Sequence, residues 1–144
     1  MALGTAHRRG GRALFVCTQN SARSQLAAAL WRARTGGQAS SAGTHPAKRV
    51  HPSAVAAGRR GGLDLTGARP RALEQDDLDV DLLVTVCDLA HEELDPPPDW
   101  LHWSVPDPVE AGTRQAFDAT LVELDERITA IADRHPHRAS ERSI

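Results

Sequence analysis

Short apolar runs alternate with amphipathic stretches along most of the chain. Residues 13–16 form an apolar run that predicts a strand, and from Ser21 onward the pattern changes to a helical period. One face of this helix carries Leu26, Ala29, Leu30 and Ala33. Gly36 and Gly37 are expected to end it, because glycine tolerates the left-handed conformation of a helix C-cap. The chain therefore begins as strand, loop and helix.

The same alternation continues to the end of the chain. Further strands are predicted at 38–42, 82–86 and 100–105, and further helices at 51–60, 88–94 and 112–133. The last helix carries apolar side chains at spacings of three and four, namely Phe117, Leu121, Leu124, Ile128 and Ile131. Turns are expected at Gly43 to Pro46 and at 106–108, whereas residues 63–78 are polar and have no clear pattern.

Strands separated by helices predict right-handed βαβ units and therefore an α/β fold. We expect a three-layer sandwich in which a four-stranded parallel sheet is covered by helices on both faces. In such folds the functional crevice lies outside the carboxyl ends of the strands. The residues that directly follow the predicted strands are Cys17, Ser41 to Gly43, Cys87 and the turn containing Asp107. These residues should share one edge of the sheet.

Composition narrows the classes of protein that need to be considered. A chain of 144 residues with 40% apolar residues predicts one domain, at 12–135, between a flexible tail at 1–11 and a polar tail at 136–144. The net charge of -2 predicts no nucleic-acid partner, and no apolar run is long enough to predict a membrane span. Two cysteines are too few for a disulfide framework, so a reducing cytoplasm is the expected location.

The loop after the first strand has the pattern of an anion site. Cys17 and Arg23 are separated by five residues, most of them small or polar, which lets the backbone N–H groups turn toward an anion at the start of the helix. Arg23 adds a planar, permanently charged fork. The same positive field is expected to lower the pKa of Cys17 and make it a nucleophile. The predicted oxyanion-binding residues are Thr18, Gln19, Asn20, Ser21, Ala22, Arg23 and Ser24.

Three side chains of this loop have more than one interpretation. Asn20 is expected to hold the loop open through hydrogen bonds to the backbone. Ser21 or Ser24 is expected to donate to the sulfur of Cys17, while the alternative for Ser21 is the N-cap of the helix. The alternative for Cys17 is a small buried apolar residue at the end of a strand.

The sequence of residues 14–27, LFVCTQNSARSQLA, closely resembles the low-molecular-weight tyrosine phosphatase superfamily, and within it the arsenate reductase branch. The resemblance extends over residues 12–133 and implies a low-molecular-weight phosphatase-like fold. Residues 41–44, SAGT, resemble the second-strand signature of the superfamily. Residues 84–87, VTVC, resemble the strand that bears a resolving cysteine, and 106–108, PDP, the loop that supplies a general acid.

The resemblance implies one of two reactions at this site. In a phosphatase, Cys17 attacks the phosphorus of a phosphomonoester, Asp107 protonates the leaving oxygen, and water hydrolyses the cysteinyl phosphate. In an arsenate reductase, Cys17 attacks arsenic, Asp107 helps water depart, and Cys87 attacks the sulfur of Cys17 to release arsenite. The expected ligands are therefore small oxyanions, arsenate or phosphate, or phosphomonoesters.

Two residues favour reduction. Tyrosine phosphatases of the superfamily carry an aromatic residue after Asp-Pro, whereas this chain has Val109. The resemblance also places Cys87 as the resolving thiol. Members with three cysteines have another one further along, where this chain reads HEEL at 91–94. A Cys17–Cys87 disulfide would therefore be reduced by thioredoxin, a glutaredoxin-like protein or a small thiol.

Alternatives remain for several of these residues. Cys87 is either resolving, protective in a phosphatase, or a buried strand-end residue, and Asp107 also fits an ordinary turn. A phosphate-binding module without turnover is a third class of function. The histidines are scattered without zinc spacing, so neither a metal nor a cofactor is predicted. Trp31 and Trp100 are expected to pack in the core or its rim, and Trp103 either there or in the cleft.

Overall fold

The structure, a computed structural model, describes residues 11–134 of the chain. Its strands are β1 (Arg12–Cys17), β2 (Gln38–Gly43), β3 (Leu82–Thr85) and β4 (Leu101–His102). Its α-helices are α1 (Arg23–Thr35), α2 (Pro52–Arg60), α3 (Asp88–Leu94), α4 (Pro108–Ala111) and α5 (Arg114–Arg134), and a 3₁₀ helix spans Gln75–Leu78. Apart from Gly11, the two predicted tails lie outside the described residues.

The four strands form one parallel sheet in the order β2-β1-β3-β4. In this register Cys17 lies opposite Gly43 of β2, and Val16 lies opposite Thr85 of β3. The apolar side chains of β1 are completely buried, as expected for a parallel strand that is covered on both faces. The predicted α/β architecture is confirmed.

Two separate apolar clusters lie on the two faces of the sheet. One contains Phe15 together with buried side chains of α1, α2 and α5. The other is formed by Leu14, Val16, Ala42 and Leu83, against which Leu73, Leu78, Val80, Leu94 and Trp100 pack. The sheet is therefore the middle layer, with α1, α2 and α5 on one face and the segments that carry Leu73, Leu78, Val80, Leu94 and Trp100 on the other. Within residues 11–134, none of the helices has both the length and the apolar character needed to cross a membrane.

Helix α1 starts two residues later than predicted. Its N-cap is Ala22, which makes no side-chain capping bond, so the interpretation of Ser21 as the cap is wrong. The helix is buried on nearly all sides from Ser24 to Trp31, whereas Ala33 of the predicted apolar face is exposed. The helix ends at Gly36 with φ of 73°, which confirms the predicted glycine stop.

The last third of the chain departs most from the sequence pattern. The predicted strand at 100–105 is reduced to β4, because the chain turns after it and Val105 donates its N–H to the carbonyl of Trp103 at 3.0 Å. The predicted turn at 106–108 leads directly into α4, and Gly112, with φ of 72°, separates α4 from α5. The unassigned stretch 63–78 contains the 3₁₀ helix and a single bridge between Gly43 and Ala72.

Candidate active site

The loop between β1 and α1 lies at the base of a cavity of about 370 Å³ at the carboxyl edge of the sheet. Three segments that are distant in the chain converge here. The lining residues are Cys17, Thr18, Gln19, Ser21, Ala22, Arg23, Cys87, Asp88, Leu89, Val105, Pro106 and Asp107. All four predicted catalytic residues are in this set, whereas Asn20 and Ser24 of the predicted oxyanion loop lie outside it and support the loop from below.

The backbone carbonyls of the loop are bonded to the segment that follows β2. The carbonyls of Cys17, Thr18 and Gln19 accept hydrogen bonds from the N–H groups of Thr44, His45 and Ala47, at 3.1, 2.7 and 2.9 Å. In a trans peptide the N–H points opposite to the carbonyl. The segment after β2 therefore holds three carbonyls away from the cavity. The N–H groups of Thr18 and Gln19 are left to face an anion, whereas that of Asn20 donates to the sulfur of Cys17.

Gly43 allows this close approach. A Cβ atom at this position would lie 2.6 Å from the carbonyl oxygen of Thr18 and 3.0 Å from the Cβ of Asn20. A side chain here would displace the loop, so Gly43 is a residue of the site rather than only of the turn that was predicted. The available signal in the sequence was its place in the SAGT segment.

Asn20 holds the loop in a conformation with φ of 54° and is completely buried. Its Oδ1 accepts from the backbone N–H of Arg71 at 3.0 Å, which fixes the orientation of the amide. Its Nδ2 therefore donates to Ser24 Oγ at 2.7 Å. Gln25 Nε2 donates to the same Oδ1 and to the carbonyl of Arg69, at 3.1 and 3.2 Å. These bonds tie the loop to a segment some fifty residues away.

The sulfur of Cys17 receives two hydrogen bonds. The backbone N–H of Asn20 donates to it at 3.2 Å, and Ser24 Oγ lies 2.9 Å away. Because Ser24 Oγ already accepts from Asn20, its own proton is available for the sulfur. Ser24, and not Ser21, is therefore the hydroxyl donor that the sequence left undecided.

The predicted lowering of the pKa of Cys17 is wrong in this arrangement. Burial, which leaves the residue 3% exposed, raises the pKa of the thiol more than the hydrogen bonds from Ser24 and Asn20 lower it. Electrostatic interaction with Cys87 raises the pKa of Cys17 further. Arg23 does not counter this effect, because its guanidinium is turned toward Val105 and Asp107.

Arg23 connects the anion loop to the predicted general acid. Its Nη1 donates to the carbonyl of Val105 at 2.8 Å, and its Nη2 lies 3.9 Å from Asp107 Oδ2. Asp107 is the N-cap of α4, where its Oδ1 accepts from the N–H of Val109 at 3.0 Å. The carboxylate is therefore held at the cavity by the helix that follows it, and its side chain remains 43% exposed.

Cys87 lies beside Cys17 because β3 is the neighbour of β1. The N–H of Val86 donates to the carbonyl of Val16 at 2.9 Å, which continues the register of the two strands by one residue. The two cysteines therefore lie at the same edge of the sheet and line the same cavity. Both thiols are free, and Cys87 Sγ lies 3.2 Å from Thr18 Oγ1.

Asp88 and Leu89 line the cavity, although neither was a predicted site residue. Asp88 accepts from His102 Nε2 at 2.7 Å and from Ser104 Oγ. The pKa of the Asp88 carboxyl is held below its ordinary value. The largest cause is the hydrogen bond from Ser104, followed by the one from His102. Electrostatic interactions with His102 and Arg23 add to the effect. The only signal in the sequence was the position of Asp88 directly after Cys87.

The histidines that were described as scattered are partly brought together by the fold. The rings of His91 and His102 stack with centroids 4.1 Å apart, and the buried hydroxyl of Thr85 lies 2.9 and 2.7 Å from their Nδ1 atoms. The cluster contacts Asp88 through His102, whose Nε2 lies 2.7 Å from the carboxylate. Within residues 11–134, no group of three histidine, cysteine, aspartate or glutamate side chains is arranged to hold a metal ion.

Trp103 belongs to the core and not to the cleft. It is 7% exposed, and its ring centroid lies 6.1 Å from that of Phe15. The Cζ atom of Arg127 lies 5.9 Å from the centroid of the Trp103 ring. Of the two alternatives for Trp103, packing in the core and lining the cleft, the first is therefore correct.

Comparison with known proteins identifies the family. The model of the low molecular weight phosphotyrosine protein phosphatase family matches residues 12–140. The chain belongs to this family. An arsenate reductase from Bacillus licheniformis is 32% identical over 130 residues, which cover 83% of this chain and 93% of that protein.

Two further relatives are also arsenate reductases. A glutaredoxin arsenate reductase from Synechocystis sp. is 29% identical over 125 residues, or 80% of this chain and 91% of that protein. The crystal structure of an arsenate reductase from Archaeoglobus fulgidus has a TM-score of 0.68 at 30% identity and covers 84% of this chain and 98% of its own. The resemblance stated from the sequence is confirmed, and this low-molecular-weight phosphatase family member is an enzyme of the arsenate reductase or phosphatase type.

Proposed function

We propose that this enzyme is an arsenate reductase in which Cys17 attacks the oxyanion and Cys87 resolves the adduct. The observation that carries the proposal is the adjacency of the two free cysteines at the ends of neighbouring strands, both lining one cavity. A phosphatase needs one thiol at this place. A second thiol in the same cavity is what a thiol-dependent reduction requires.

The reaction balances with these two thiols. The Cys17 thiolate attacks arsenic, and one arsenate oxygen leaves as water after protonation, for which Asp107 is the proton donor. The Cys87 thiolate then attacks Cys17 Sγ, the S–As bond breaks, and its electron pair stays on arsenic. Arsenic is reduced from the pentavalent to the trivalent state, two thiols are oxidised to one disulfide, and arsenite is released.

The surrounding residues have distinct roles in this scheme. The N–H groups of the loop and the guanidinium of Arg23 bind the oxyanion. Arsenate or phosphate would compete with Asp107 and Val105 for Arg23, and a guanidinium turned onto the anion would favour the thiolate of Cys17. Asn20 and Ser24 keep the nucleophile in place through their hydrogen bonds to the sulfur.

The disulfide has to be reduced from outside the chain, because the sequence contains two cysteines and both are used. The proposed reductant is thioredoxin, a glutaredoxin-like protein or a small thiol. The names of the relatives include a glutaredoxin arsenate reductase, which supports a thiol-coupled reductant of this kind.

The second candidate function is hydrolysis of phosphomonoesters by the same Cys17, Arg23 and Asp107. It is favoured by the family match, whose description is that of a phosphotyrosine phosphatase. The position after Asp-Pro argues against an aromatic substrate, because Val109 is partly buried and packs against the core instead of presenting a flat surface to a phenyl ring.

A single-turnover experiment separates the two functions. Reduced protein is mixed with arsenate in the absence of other thiols, and arsenite and free thiols are counted; p-nitrophenyl phosphate hydrolysis is followed in parallel. We expect the wild type to lose two thiols for each arsenite formed. Cys17→Ser should lose both activities, while Cys87→Ser should lose arsenite formation by at least about a hundredfold and keep hydrolysis.

The hydrolytic activity of Cys87→Ser is the control for an intact anion loop. Undiminished arsenite formation by this variant would exclude the resolving role of Cys87. Rapid hydrolysis by a wild type that yields no arsenite would instead assign the protein to the phosphatases.

A further inference from the structure

We propose that Asp88 selects the external thiol by its charge, so that the disulfide is reduced faster by thiols that carry a positive group. This inference rests on the proposed function, because it concerns the Cys17–Cys87 disulfide. It adds a specificity-determining residue that stands beside the resolving thiol.

Asp88 is placed where an incoming thiol must pass. It follows Cys87 directly, lines the same cavity, and its side chain is 64% exposed to solvent. Leu89, also at the cavity and 61% exposed, provides an apolar contact next to it. A molecule that reaches either sulfur from solvent therefore meets this carboxylate.

The carboxylate is held in position despite its exposure. His102 Nε2 lies 2.7 Å from its Oδ1, and Ser104 donates to the same oxygen. His102 is fixed in turn by the hydroxyl of Thr85, which is completely buried. An ionised carboxylate only accepts hydrogen bonds, so both partners stabilise the charged form. His102 and Ser104 are thus positioning residues for a fixed negative charge.

The charges around the cavity do not cancel once the oxyanion has gone. Among the residues that line it, Arg23 is positive and Asp88 and Asp107 are negative. Arg23 is directed to the side of Asp107, from which its Nη2 is 3.9 Å away. The released arsenite is uncharged at neutral pH. Asp88, whose hydrogen-bond partners are His102 and Ser104, is the lining carboxylate beside Cys87 that a thiolate, itself negative, has to approach.

The reducing step follows ordinary thiol–disulfide exchange. An external thiolate attacks one sulfur of the disulfide, the S–S bond breaks, and its electron pair leaves with the other cysteine. A second external thiolate attacks the mixed disulfide and releases the enzyme thiol. Two external thiols are oxidised to one disulfide and two enzyme thiols are restored. A positive group on the attacking thiol offsets its repulsion from Asp88 in both steps.

The test compares three small thiols of different charge on the isolated disulfide. The wild type and Asp88→Asn are oxidised with diamide, freed of oxidant, and reduced with cysteamine, 2-mercaptoethanol or 2-mercaptoethanesulfonate at low salt. The rate of disulfide reduction is measured from the recovery of free protein thiols. Each rate is divided by the thiolate concentration, and then by the rate at which the same thiol reduces a small disulfide. This division removes the intrinsic reactivity of each thiol.

We expect the wild type to prefer cysteamine over the sulfonate. In Asp88→Asn the cysteamine rate should fall and the sulfonate rate should rise, each by about threefold relative to 2-mercaptoethanol, as expected for one charge about 6 Å away in water. The preference should also shrink at about 1 M salt. Glu126→Gln, which removes an exposed carboxylate of α5 away from the cavity, should leave the preference unchanged.

An unchanged preference in Asp88→Asn would overturn the inference while leaving the proposed function intact. An equal change in Glu126→Gln would also overturn it, since the effect would then be one of net charge. Failure of the wild type to form the Cys17–Cys87 disulfide would overturn the proposed function and the inference with it.

Discussion

At the scale of single residues, the nucleophile is subject to two opposing influences. Burial disfavours the thiolate of Cys17, whereas the N–H of Asn20 and the hydroxyl of Ser24 favour it. The sequence contained the donors but not the extent of burial. The reactivity of Cys17 therefore depends on hydrogen bonds whose removal can be measured one at a time.

Ser24→Ala should raise the pKa of Cys17 further, because the buried thiolate loses its hydroxyl donor while the desolvation remains. A hydrogen bond to a charged group contributes about 1.5 kcal/mol or more, so the pKa should rise by about one unit. In a Cys87→Ser background, the pH dependence of Cys17 alkylation by iodoacetamide reports this pKa. Ser53→Ala on α2 is the matched control, and an alkylation midpoint that stays in place in Ser24→Ala would contradict the role of the hydroxyl.

At the scale of elements, the segment 71–77 before β3 is hydrogen-bonded to the anion loop and stabilises it. The backbone of Arg71 donates to Asn20, and its carbonyl accepts from the N–H of Gly43 at 2.9 Å. The side chain of Arg71 pairs with Asp77 of the 3₁₀ helix, and the carboxylate of Asp77 also accepts from the N–H of Glu74 at 2.7 Å. A stretch that had no assignable pattern in the sequence thus stabilises the catalytic loop.

The ion pair between Arg71 and Asp77 predicts that the free energy of unfolding depends on pH. The hydrogen bonds and charge of Arg71 hold the pKa of Asp77 below its ordinary value, so the folded state favours the ionised form. Its stabilising contribution is present above the unfolded pKa, about 3.9, and is lost as the pH falls through the lower folded pKa. Asp77→Asn should therefore lower the free energy of unfolding at pH 6, and its difference from the wild type should shrink below about pH 4.

Urea unfolding of both proteins at pH 6, 4 and 3 measures this difference. Asp99→Asn, which removes an exposed carboxylate from the loop before β4, is the control for general charge effects. A difference between Asp77→Asn and the wild type that is the same at all three pH values would mean that the ion pair is not its source.

At the scale of the whole molecule, the site depends on a sheet that is buried on both faces. Helix α5 covers one face with Phe117, Leu124, Ile128 and Ile131, all of them buried. It contributes no residue to the lining of the cavity. Its effect on the site is therefore expected to be through stability alone.

Ile128→Ala should lower the free energy of unfolding by about 2–5 kcal/mol, because the side chain is completely buried and the truncation leaves a cavity. Val122→Ala on the same helix should change it by less than about 0.5 kcal/mol, since Val122 is 57% exposed. Urea unfolding gives both values, and p-nitrophenyl phosphate hydrolysis gives the activity of the folded fraction. Equal destabilisation by the two variants would be inconsistent with the packing described for α5.

Much of the fold follows from local patterns in the sequence. The apolar run before Cys17 and the glycine that ends α1 at Gly36 are where the pattern places them, and α1 itself begins within two residues of its predicted start. The errors in the last third of the chain fall at a turn and a helix cap that the spacing of apolar residues does not reveal. The strand predicted at 100–105 is short because the chain turns back after β4, and α4 exists because Asp107 caps it.

The sequence by itself determined the strand, the cysteine–arginine loop, the following helix and the order of the layers, because periodicity, capping and spacing are properties of residues close in the chain. Only the tertiary structure decided that Cys87 lies beside Cys17, that His102 holds Asp88, and that the pKa of Cys17 is raised. Strand neighbours, burial and the sum of nearby charges come from residues that are distant in the chain, and no local pattern contains them.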